Sequence, residues 1–181
     1  MKQEGGVMCK LRKKNIDITK LRKTLGYYPT GVSIVTAPGV NGQPIGMTIN
    51  SLISISLEPP LIGWCVDRRA ASFADFSQCQ NFSISILSED QSELARLFAT
   101  RGADKFAGLC AGRFDAGETQ AGVLIPGACA WIRCSVYRFV PLGDHLMLVG
   151  EITHFQHADE VPLVFSKGIF RNLAGENKVA A

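Results

Sequence analysis

The sequence lacks the long apolar runs that carry a chain across a membrane. Its uninterrupted apolar stretches are only a handful of residues long, as at 146–149, whereas a helix that spans a bilayer needs about 20 apolar residues. Its first residues include Glu4 and form no apolar segment of the secretory type. Of its 181 residues, 46% are hydrophobic and 19% are charged, which is enough apolar surface for one folded domain. We expect a cytoplasmic protein with no membrane partner.

Cysteine pairs and clustered metal ligands are also missing. The six cysteines form no Cys-x-x-Cys motif, and four of them lie in apolar contexts, where free cysteine behaves as a small hydrophobic residue. His154 and His157 are the only candidate metal ligands at close spacing, and no cysteine or carboxylate accompanies them at a recognised interval. We expect reduced thiols and no bound metal.

Positive charge is scarce in the body of the chain. Residues 1–28 contain eight basic and two acidic side chains, a net charge of +6, whereas residues 29–181 contain eleven and fourteen, a net charge of −3. A nucleic-acid-binding domain presents a basic face on its folded body, so we expect no nucleic-acid partner, while a weak electrostatic role of the N-terminal segment stays open. The distribution indicates a flexible basic arm over 1–16, a folded domain over 17–173 and a C-terminal tail over 174–181.

Apolar and polar residues alternate along several segments, as they do in half-buried strands. The alternation over 47–57 inverts at Ser51 and Leu52, which predicts a β-bulge or a strand break at that point. Gly143 and Asp144 mark a turn between two long segments and predict a hairpin. The predicted strands are 32–37, 47–57, 61–66, 82–86, 130–140, 146–153 and one short strand within 163–170.

Three short helices are expected among these strands. Residues 17–25 carry apolar positions at helical spacing and end before a glycine, which favours a helix end. Ser72 followed by Asp75, and Ser88 followed by Gln91, have the spacing of capping boxes. Because the strands do not alternate regularly with helices, the pattern favours a small closed barrel with peripheral helices.

The common fingerprints of nucleotide and hydrolytic sites are absent. The sequence has no G-x-G-x-x-G motif after a strand, no P-loop and no G-x-S-x-G elbow. Its three histidines leave a hydrolytic triad open without favouring one. The candidate chemistry therefore lies in other polar clusters.

One strand carries a dense set of small hydroxyl and amide side chains, which are Thr48, Asn50, Ser51, Ser54 and Ser56. Such groups supply hydrogen-bond donors and acceptors for the polar edge of a planar heteroaromatic ligand. Alternation alone favours a second interpretation, the polar outer face of an antiparallel strand.

Arg68 and Arg69 stand just before Ser72, at a predicted helix start. A hydroxyl, main-chain amides and guanidinium groups together suit a phosphate. Taken alone, the same residues are more often an N-cap beside two solvated arginines.

Five stretches occur together in one order: 29–36 (PTGVSIVT), 46–51 (GMTINS), 54–61 (SISLEPPL), 104–106 (DKF) and 143–145 (GDH). In this order they resemble the short-chain flavin reductases, the NAD(P)H:flavin oxidoreductase components of two-component monooxygenases. The resemblance runs from about residue 21 to about residue 173. It implies a mainly β fold, an FMN-binding split β-barrel of Greek-key type with a few peripheral short helices. It also favours the ligand-binding interpretation of both polar clusters.

The resemblance implies how individual residues would bind FMN or FAD. Thr48, Asn50 and Ser51 would hydrogen-bond the flavin, while Arg69 and Ser72 would hold its phosphate. The complete set of implied cofactor-binding residues is Pro29, Thr30, Met47, Thr48, Ile49, Asn50, Ser51, Leu52, Cys65, Val66, Arg69, Ser72, Lys105 and Phe106.

His145 matches the position associated with the nicotinamide nucleotide and is the candidate catalytic residue, with an exposed turn histidine as its other interpretation. The implied reaction is the reduction of FMN or FAD by NADH or NADPH, which needs two stacked rings rather than a strong acid or base. The implied partners are a second copy of the chain in a homodimer and a monooxygenase that receives reduced flavin. Reduction of ferric iron, cobalamin or another metal centre, and flavin binding without catalysis, are the alternatives.

The sequence departs from the family pattern in two respects. Ala74 stands where many members have threonine, so one contact to phosphate is lost. Tyr27 and Tyr28 are bulkier than the small residues often found there, which narrows the expected substrate cavity.

Overall fold

The computed structural model describes residues 16–107, 109 and 122–173. Strands dominate these residues, and the helices are short. In chain order the elements are α1 (Ile18–Leu25), β1 (Thr30–Gly31), β2 (Ser33–Pro38), β3 (Pro44–Ile49), β4 (Ile53–Leu57), β5 (Pro60–Asp67), α2 (Phe73–Phe76), β6 (Asn81–Ile86), a 3-10 turn (Glu89–Gln91), α3 (Ser92–Ala99), β7 (Ala130–Leu142), β8 (His145–His157), β9 (Val164–Ser166) and β10 (Ile169–Arg171).

The strands form two antiparallel sheets. The larger sheet has seven strands in the order β3-β2-β6-β7-β8-β5-β4, and the smaller has the order β1-β9-β10. The outer strands β3 and β4 are consecutive in the chain, and residues 50–52 alone connect them. Four Cα–Cα steps reach about 15 Å at most, so the large sheet must curl until its two edges come close at one end.

A mainly β fold is confirmed, whereas the closed barrel expected from the strand pattern is not formed. Among the described residues no pairing joins β3 to β4, and the sheet stays open along that seam. Residues 50–52 alone connect the two outer strands, so the two edges of the sheet come close where this connection lies. The predicted strand break at Ser51 and Leu52 is confirmed, because β3 ends at Ile49 and β4 begins at Ile53.

The last part of the chain contains two strands where one was predicted. β9 and β10 form a hairpin through Lys167 and Gly168, which have φ angles of 52° and 82°. β9 also pairs with β1, so that Thr30 lies opposite Phe165. The smaller sheet therefore brings the beginning and the end of the domain together.

The predictions of α1 and of the Ser88 capping box are confirmed, whereas the predicted Ser72 capping box is not formed. α1 begins after Asp17, whose carboxylate accepts hydrogen bonds from the amides of Thr19 and Lys20, and the capping box of Ser88 and Gln91 is present. The capping box predicted for Ser72 is wrong, since the Ser72 hydroxyl makes no capping bond. The Asp75 carboxylate instead accepts the main-chain N–H of Val40 at 3.0 Å.

Two apolar clusters form the core. In the first, the buried Trp64 ring makes edge contacts with Phe76 and Phe82, at centroid distances of 5.0 and 5.9 Å. The second cluster includes Phe98 and Leu163 and lies between α3 and the smaller sheet. No helix in the described part of the chain has the length and apolar content needed to span a membrane.

Candidate active site

The longest run of predicted ligand-binding residues, 47–52, covers the end of β3, an outer strand of the large sheet, and the connection to β4. One edge of β3 pairs with β2, and the other edge pairs with no described strand. Main-chain groups on that free edge need other partners. One of them has a side-chain partner, since Lys105 Nζ donates a hydrogen bond to the Gly46 carbonyl at 3.0 Å.

A cavity of about 210 Å³ opens at the C-terminal end of β3. Its polar part is formed by Thr48 and Asn50, and its apolar wall includes the aromatic rings of Phe165 and Phe170. The other lining residues are Val32, Ile49 and Ala99. An aromatic wall facing an amide suits a flat ligand with a polar edge.

The three polar side chains predicted to bind flavin have different surroundings. The Thr48 hydroxyl donates to the Ala95 carbonyl at 2.7 Å and so ties β3 to α3. The Ser51 hydroxyl accepts from the Cys65 amide at 3.0 Å. Asn50 is exposed, and its side-chain amide makes no hydrogen bond to the described residues. The Asn50 amide therefore has both its donors and its acceptor available, whereas the Thr48 hydroxyl has only its acceptor capacity left and the Ser51 hydroxyl only part of it.

Pro29 and Thr30 lie next to this cavity through the smaller sheet. Pro29 is exposed, and Thr30 pairs with Phe165, a residue of the cavity wall. Thr30 Oγ1 is buried and has no hydrogen-bond partner among the described residues. A buried hydroxyl without a partner costs roughly 1–3 kcal/mol, so this position carries a polar group that the described fold alone does not satisfy.

A second cavity, of about 430 Å³, lies further back along β3. Gly46, Ser72, Lys105 and Phe106 are among its lining residues. The Ser72 hydroxyl lies 3.9 Å from the Met47 sulfur, which places Met47 beside the start of α2. The predicted phosphate-binding serine and the basic-aromatic pair therefore meet in one place.

Charges in this second cavity come from one lysine and two aspartates. Burial lowers the pKa of Lys105 from its ordinary value. Asp75 and Asp104 also line the cavity, but each carboxylate already accepts a main-chain N–H, from Val40 and Ala107 respectively. Lys105 is the one cation among the described residues that line this cavity, and a bound anion would favour its protonated form.

Gly46 is required by the aromatic packing of this region. A Cβ at position 46 would lie 2.7 Å from the Phe98 ring and 3.2 Å from the Phe106 ring. The two rings meet edge to face with a centroid distance of 5.3 Å. The absent side chain lets both rings pack directly against the β3 main chain.

A charged cluster lies where β5 ends and β8 begins. The guanidinium of Arg69 donates two hydrogen bonds to the Asp67 carboxylate, with Nη2–Oδ2 and Nε–Oδ1 distances of 2.7 and 3.0 Å. This pairing holds the pKa of the Asp67 carboxyl well below its usual range. Asp67 lies opposite His145 in the strand ladder, and His145 Nδ1 lies 2.8 Å from Asp144 Oδ1.

Cys65 and Val66, both predicted to line the flavin pocket, have different environments. Cys65 is half-buried and is bonded to Ser51 through its main chain. The Val66 side chain is fully buried in the first core cluster, so only its main chain remains for a ligand. Ile49 is likewise in the core, and Leu52 packs against it.

The two residues that depart from the family pattern by size are both exposed. Tyr27 and Tyr28 have 61% and 76% of their surface exposed. The Lys167 Nζ atom lies 4.4 Å from the centre of the Tyr27 ring. Ala74 is also exposed, so a threonine there would have had room for a hydroxyl.

Sequence reasoning missed the aromatic wall of Phe165 and Phe170 and the acidic partner Asp67. The alternation within 163–170 predicts a strand but contains no signal for its neighbour, because strand partners are set by long-range packing. Asp67 has a local signal, since it precedes Arg69 by two residues at the end of a predicted strand.

Comparison with known proteins gives a family. Residues 25–174 match the family described as flavin reductase like domain. The chain belongs to this family.

The chain is 41% identical over 147 residues to the actinorhodin polyketide dimerase of Streptomyces coelicolor, covering 80% of each chain. It is 34% identical over 155 residues to the reductase component of a 4-nitrophenol monooxygenase from Rhodococcus opacus, covering 86% of this chain and 80% of that one. Among solved structures, it superposes with a TM-score of 0.79 and 34% identity on an NADH:FAD oxidoreductase of Streptomyces globisporus C-1027, in complex with NAD and FAD fragments. That superposition covers 90% of this chain and 96% of the other.

Proposed function

We propose that this flavin reductase family member uses NADH or NADPH to reduce FMN or FAD and releases the reduced flavin to a partner monooxygenase. The observation that carries the proposal is the pair of cavities on β3. The cavity at Thr48 and Asn50 has an aromatic wall, and the cavity at Ser72 and Lys105 has a cation and a hydroxyl. One strand thus presents a site for a flat ring and a site for an anion.

The residues of both cavities fit a flavin mononucleotide. The exposed Asn50 amide offers donors and an acceptor for the polar edge of the ring system, and Thr30 Oγ1 is a buried polar atom still without a partner. Ser72 and Lys105 would hold the phosphate, with the Ser72 hydroxyl free of any capping bond. When bound, a flavin supplies an acceptor for two electrons from the nicotinamide.

The chain's own residues bind, orient and exclude water. Thr48 and Ser51 use their hydroxyls to fix β3 against α3 and β5, which presents the Asn50 amide in a defined place. The aromatic wall keeps water from one side of the cavity. His145, held by Asp144, leaves Nε2 directed away from its carboxylate partner and available to a nicotinamide nucleotide. Such a site acts by positioning, which matches its lack of a strong acid or base.

For Arg69 we propose a different role from phosphate binding, which its sequence position suggests. Its guanidinium is already engaged by Asp67 through two hydrogen bonds. We propose that Ser72 and Lys105 carry the phosphate contact and that Arg69 instead pairs with Asp67, which neutralises its charge.

Architecture and assembly complete the proposal. For the domain over 17–173 we propose a split barrel of Greek-key type, and the support for it is that β3 and β4 are joined by residues 50–52 alone. The protein is a cytoplasmic homodimer, with 1–16 as a basic arm and 174–181 as a tail; residues 1–15 and 174–181 lie outside the described residues. Apolar side chains exposed on the single chain, such as Leu57 and Phe155, support a subunit interface.

The test is a steady-state assay with the purified full chain. NADH or NADPH is mixed with FMN, FAD or riboflavin, and loss of the reduced nicotinamide absorbance is followed, with flavin alone and protein alone as controls. Ferricytochrome c behind a dialysis membrane reports whether reduced flavin leaves the protein. The proposal fails if no flavin accelerates nicotinamide oxidation. Faster reduction of ferric chelates or cobalamin than of any free flavin would favour the metal reductase instead.

A further inference from the structure

Helix α1 displays its apolar stripe to solvent. Ile18, Leu21 and Leu25 recur at helical spacing on one face, yet α1 contributes no buried residue. Leu25 has 63% of its surface exposed. An isolated helix of eight residues is not stable in water, so an apolar stripe on such a helix needs a partner surface.

Hydrogen bonds fix both ends of α1, although its apolar stripe is exposed. The main-chain N–H of Lys167 donates to the Gly26 carbonyl at 2.7 Å, which anchors the C-terminal end of α1 on the β9–β10 turn. At the other end, the Asp17 cap satisfies two of the first amides. The helix is therefore pre-organised, and docking it would cost little further ordering.

A matching surface lies where β4 and β8 end and where β5 and β7 begin. A groove of about 610 Å³ lies there, lined by Leu57, Pro60, Ile132, Ile152 and Phe155 among others, and is called the apolar groove below. Leu57 has 89% and Phe155 has 72% of its surface exposed. Among the described residues, nothing covers these two side chains.

The charges that border the two surfaces are opposite. α1 carries Lys20, Arg22 and Lys23 and no acidic residue within its helical span. The apolar groove is flanked in the chain by Glu58, next to Leu57, and by Asp159 and Glu160, which follow His157. All three acids are exposed. The groove lining itself contains no acid and includes His154 and His157, so the charge match rests on Glu58, which lies between the lining residues Leu57 and Pro60, and on Asp159 and Glu160.

We propose that α1 of one protomer docks into the apolar groove of a second copy of this chain. In a two-fold dimer each protomer gives its helix and receives the other, so the contact is made twice. The proposal names the surfaces of the homodimer proposed above and does not depend on flavin reduction.

The test uses two exposed residues, one from each surface. Leu25→Asp and Phe155→Asp place a charge where the docked state is apolar, and both variants should fold because both side chains are largely exposed in the protomer. The dimer dissociation constant is measured by sedimentation equilibrium. We expect each variant to raise it by about ten-fold or more. Val40→Asp, at an exposed apolar site on neither surface, is the matched control and should leave it unchanged.

Mixing the two variants gives the decisive result. A mixed dimer has one contact made of two wild-type surfaces and one that carries both defects, whereas each variant homodimer has a defect in both contacts. We expect the mixture to dimerise more tightly than either variant alone. A mixture no tighter than its components, or a dimer that neither variant weakens, would overturn the docking. So would an active wild-type enzyme that sediments as a monomer, which would leave the proposed activity standing.

Discussion

Ser51 Oγ accepts a hydrogen bond from the Cys65 amide at 3.0 Å and donates one to the Cys65 carbonyl at 3.4 Å. One hydroxyl thus bridges the connection between β3 and β4 to the main chain of β5. The bridge fixes the place where the two open edges of the large sheet meet. Asn50, the next residue towards β3, takes its position from this bridge.

Ser51→Ala should weaken both the fold and the site. It leaves the Cys65 amide and carbonyl without their side-chain partner, at a cost of about 1–2 kcal/mol in the free energy of unfolding. Urea denaturation measures that change, and flavin fluorescence quenching should show weaker flavin binding. Ser54→Ala, an exposed serine on β4, is the control. Equal stability of the two variants would show that the bridge contributes nothing.

Local structure around this bridge could be predicted from the sequence because alternation is a local signal. The inversion at Ser51 and Leu52 marks the end of β3 and the start of β4 to within two residues. The partners of the hydroxyls could not be predicted. Thr48 bonds Ala95 and Ser51 bonds Cys65, and both contacts depend on how distant segments pack.

Contacts between distant segments also explain why the aromatic wall was missed and why the predicted Ser72 cap does not form. Phe165 reaches the cavity only because β9 pairs with β1, and no local pattern specifies that pairing. The capping-box spacing of Ser72 and Asp75 was a valid local signal that tertiary structure overrode, since Val40 supplies a competing N–H to the Asp75 carboxylate.

Lys105→Met should distinguish phosphate binding from ring binding. If Lys105 contacts the flavin phosphate, the variant should bind FMN about ten-fold more weakly, as expected for loss of a charge-assisted hydrogen bond of roughly 1.5 kcal/mol. Riboflavin, which has no phosphate, should bind as before. Arg101→Met, an exposed cation near the same loop, is the control. Equal losses of affinity for FMN and riboflavin would show that Lys105 does not contact the flavin phosphate.

The preference for FMN over riboflavin should also depend on pH. Burial lowers the pKa of Lys105, so in the free protein its charge is lost at a lower pH than for an ordinary lysine. The ratio of the two dissociation constants should therefore move towards one as pH rises, starting below the usual lysine range. Binding titrations of both ligands across the alkaline range test this. A ratio that is constant with pH, or one that changes equally in Lys105→Met, contradicts it.

Asp67 and Arg69 should stabilise the protein above acidic pH. The hydrogen bonds from Arg69 depress the folded-state pKa of Asp67 below the ordinary value of 3.8. As pH falls, the unfolded chain therefore binds a proton at Asp67 before the folded protein does. The stabilisation is fully present above pH 3.8 and is lost as pH falls through the lower folded-state pKa. The unfolding free energy of wild type should exceed that of Asp67→Asn near neutral pH, with the difference shrinking in acid. A double-mutant cycle with Arg69→Gln isolates the pair. A difference that does not vary with pH would assign the effect to packing.

His145→Ala should affect the nicotinamide nucleotide and spare the flavin. His145 Nδ1 is engaged by Asp144, so Nε2 is the atom left for a ligand, and its loss should raise KM for NADH by about ten-fold, as for one hydrogen bond to a charged group. The flavin dissociation constant should not change. His145→Gln places an amide near the Nε2 position and should recover part of the loss, which a purely structural role would not show. A His145→Ala variant that loses flavin affinity while its KM for NADH is unchanged would show that His145 contacts the flavin and not the nicotinamide nucleotide.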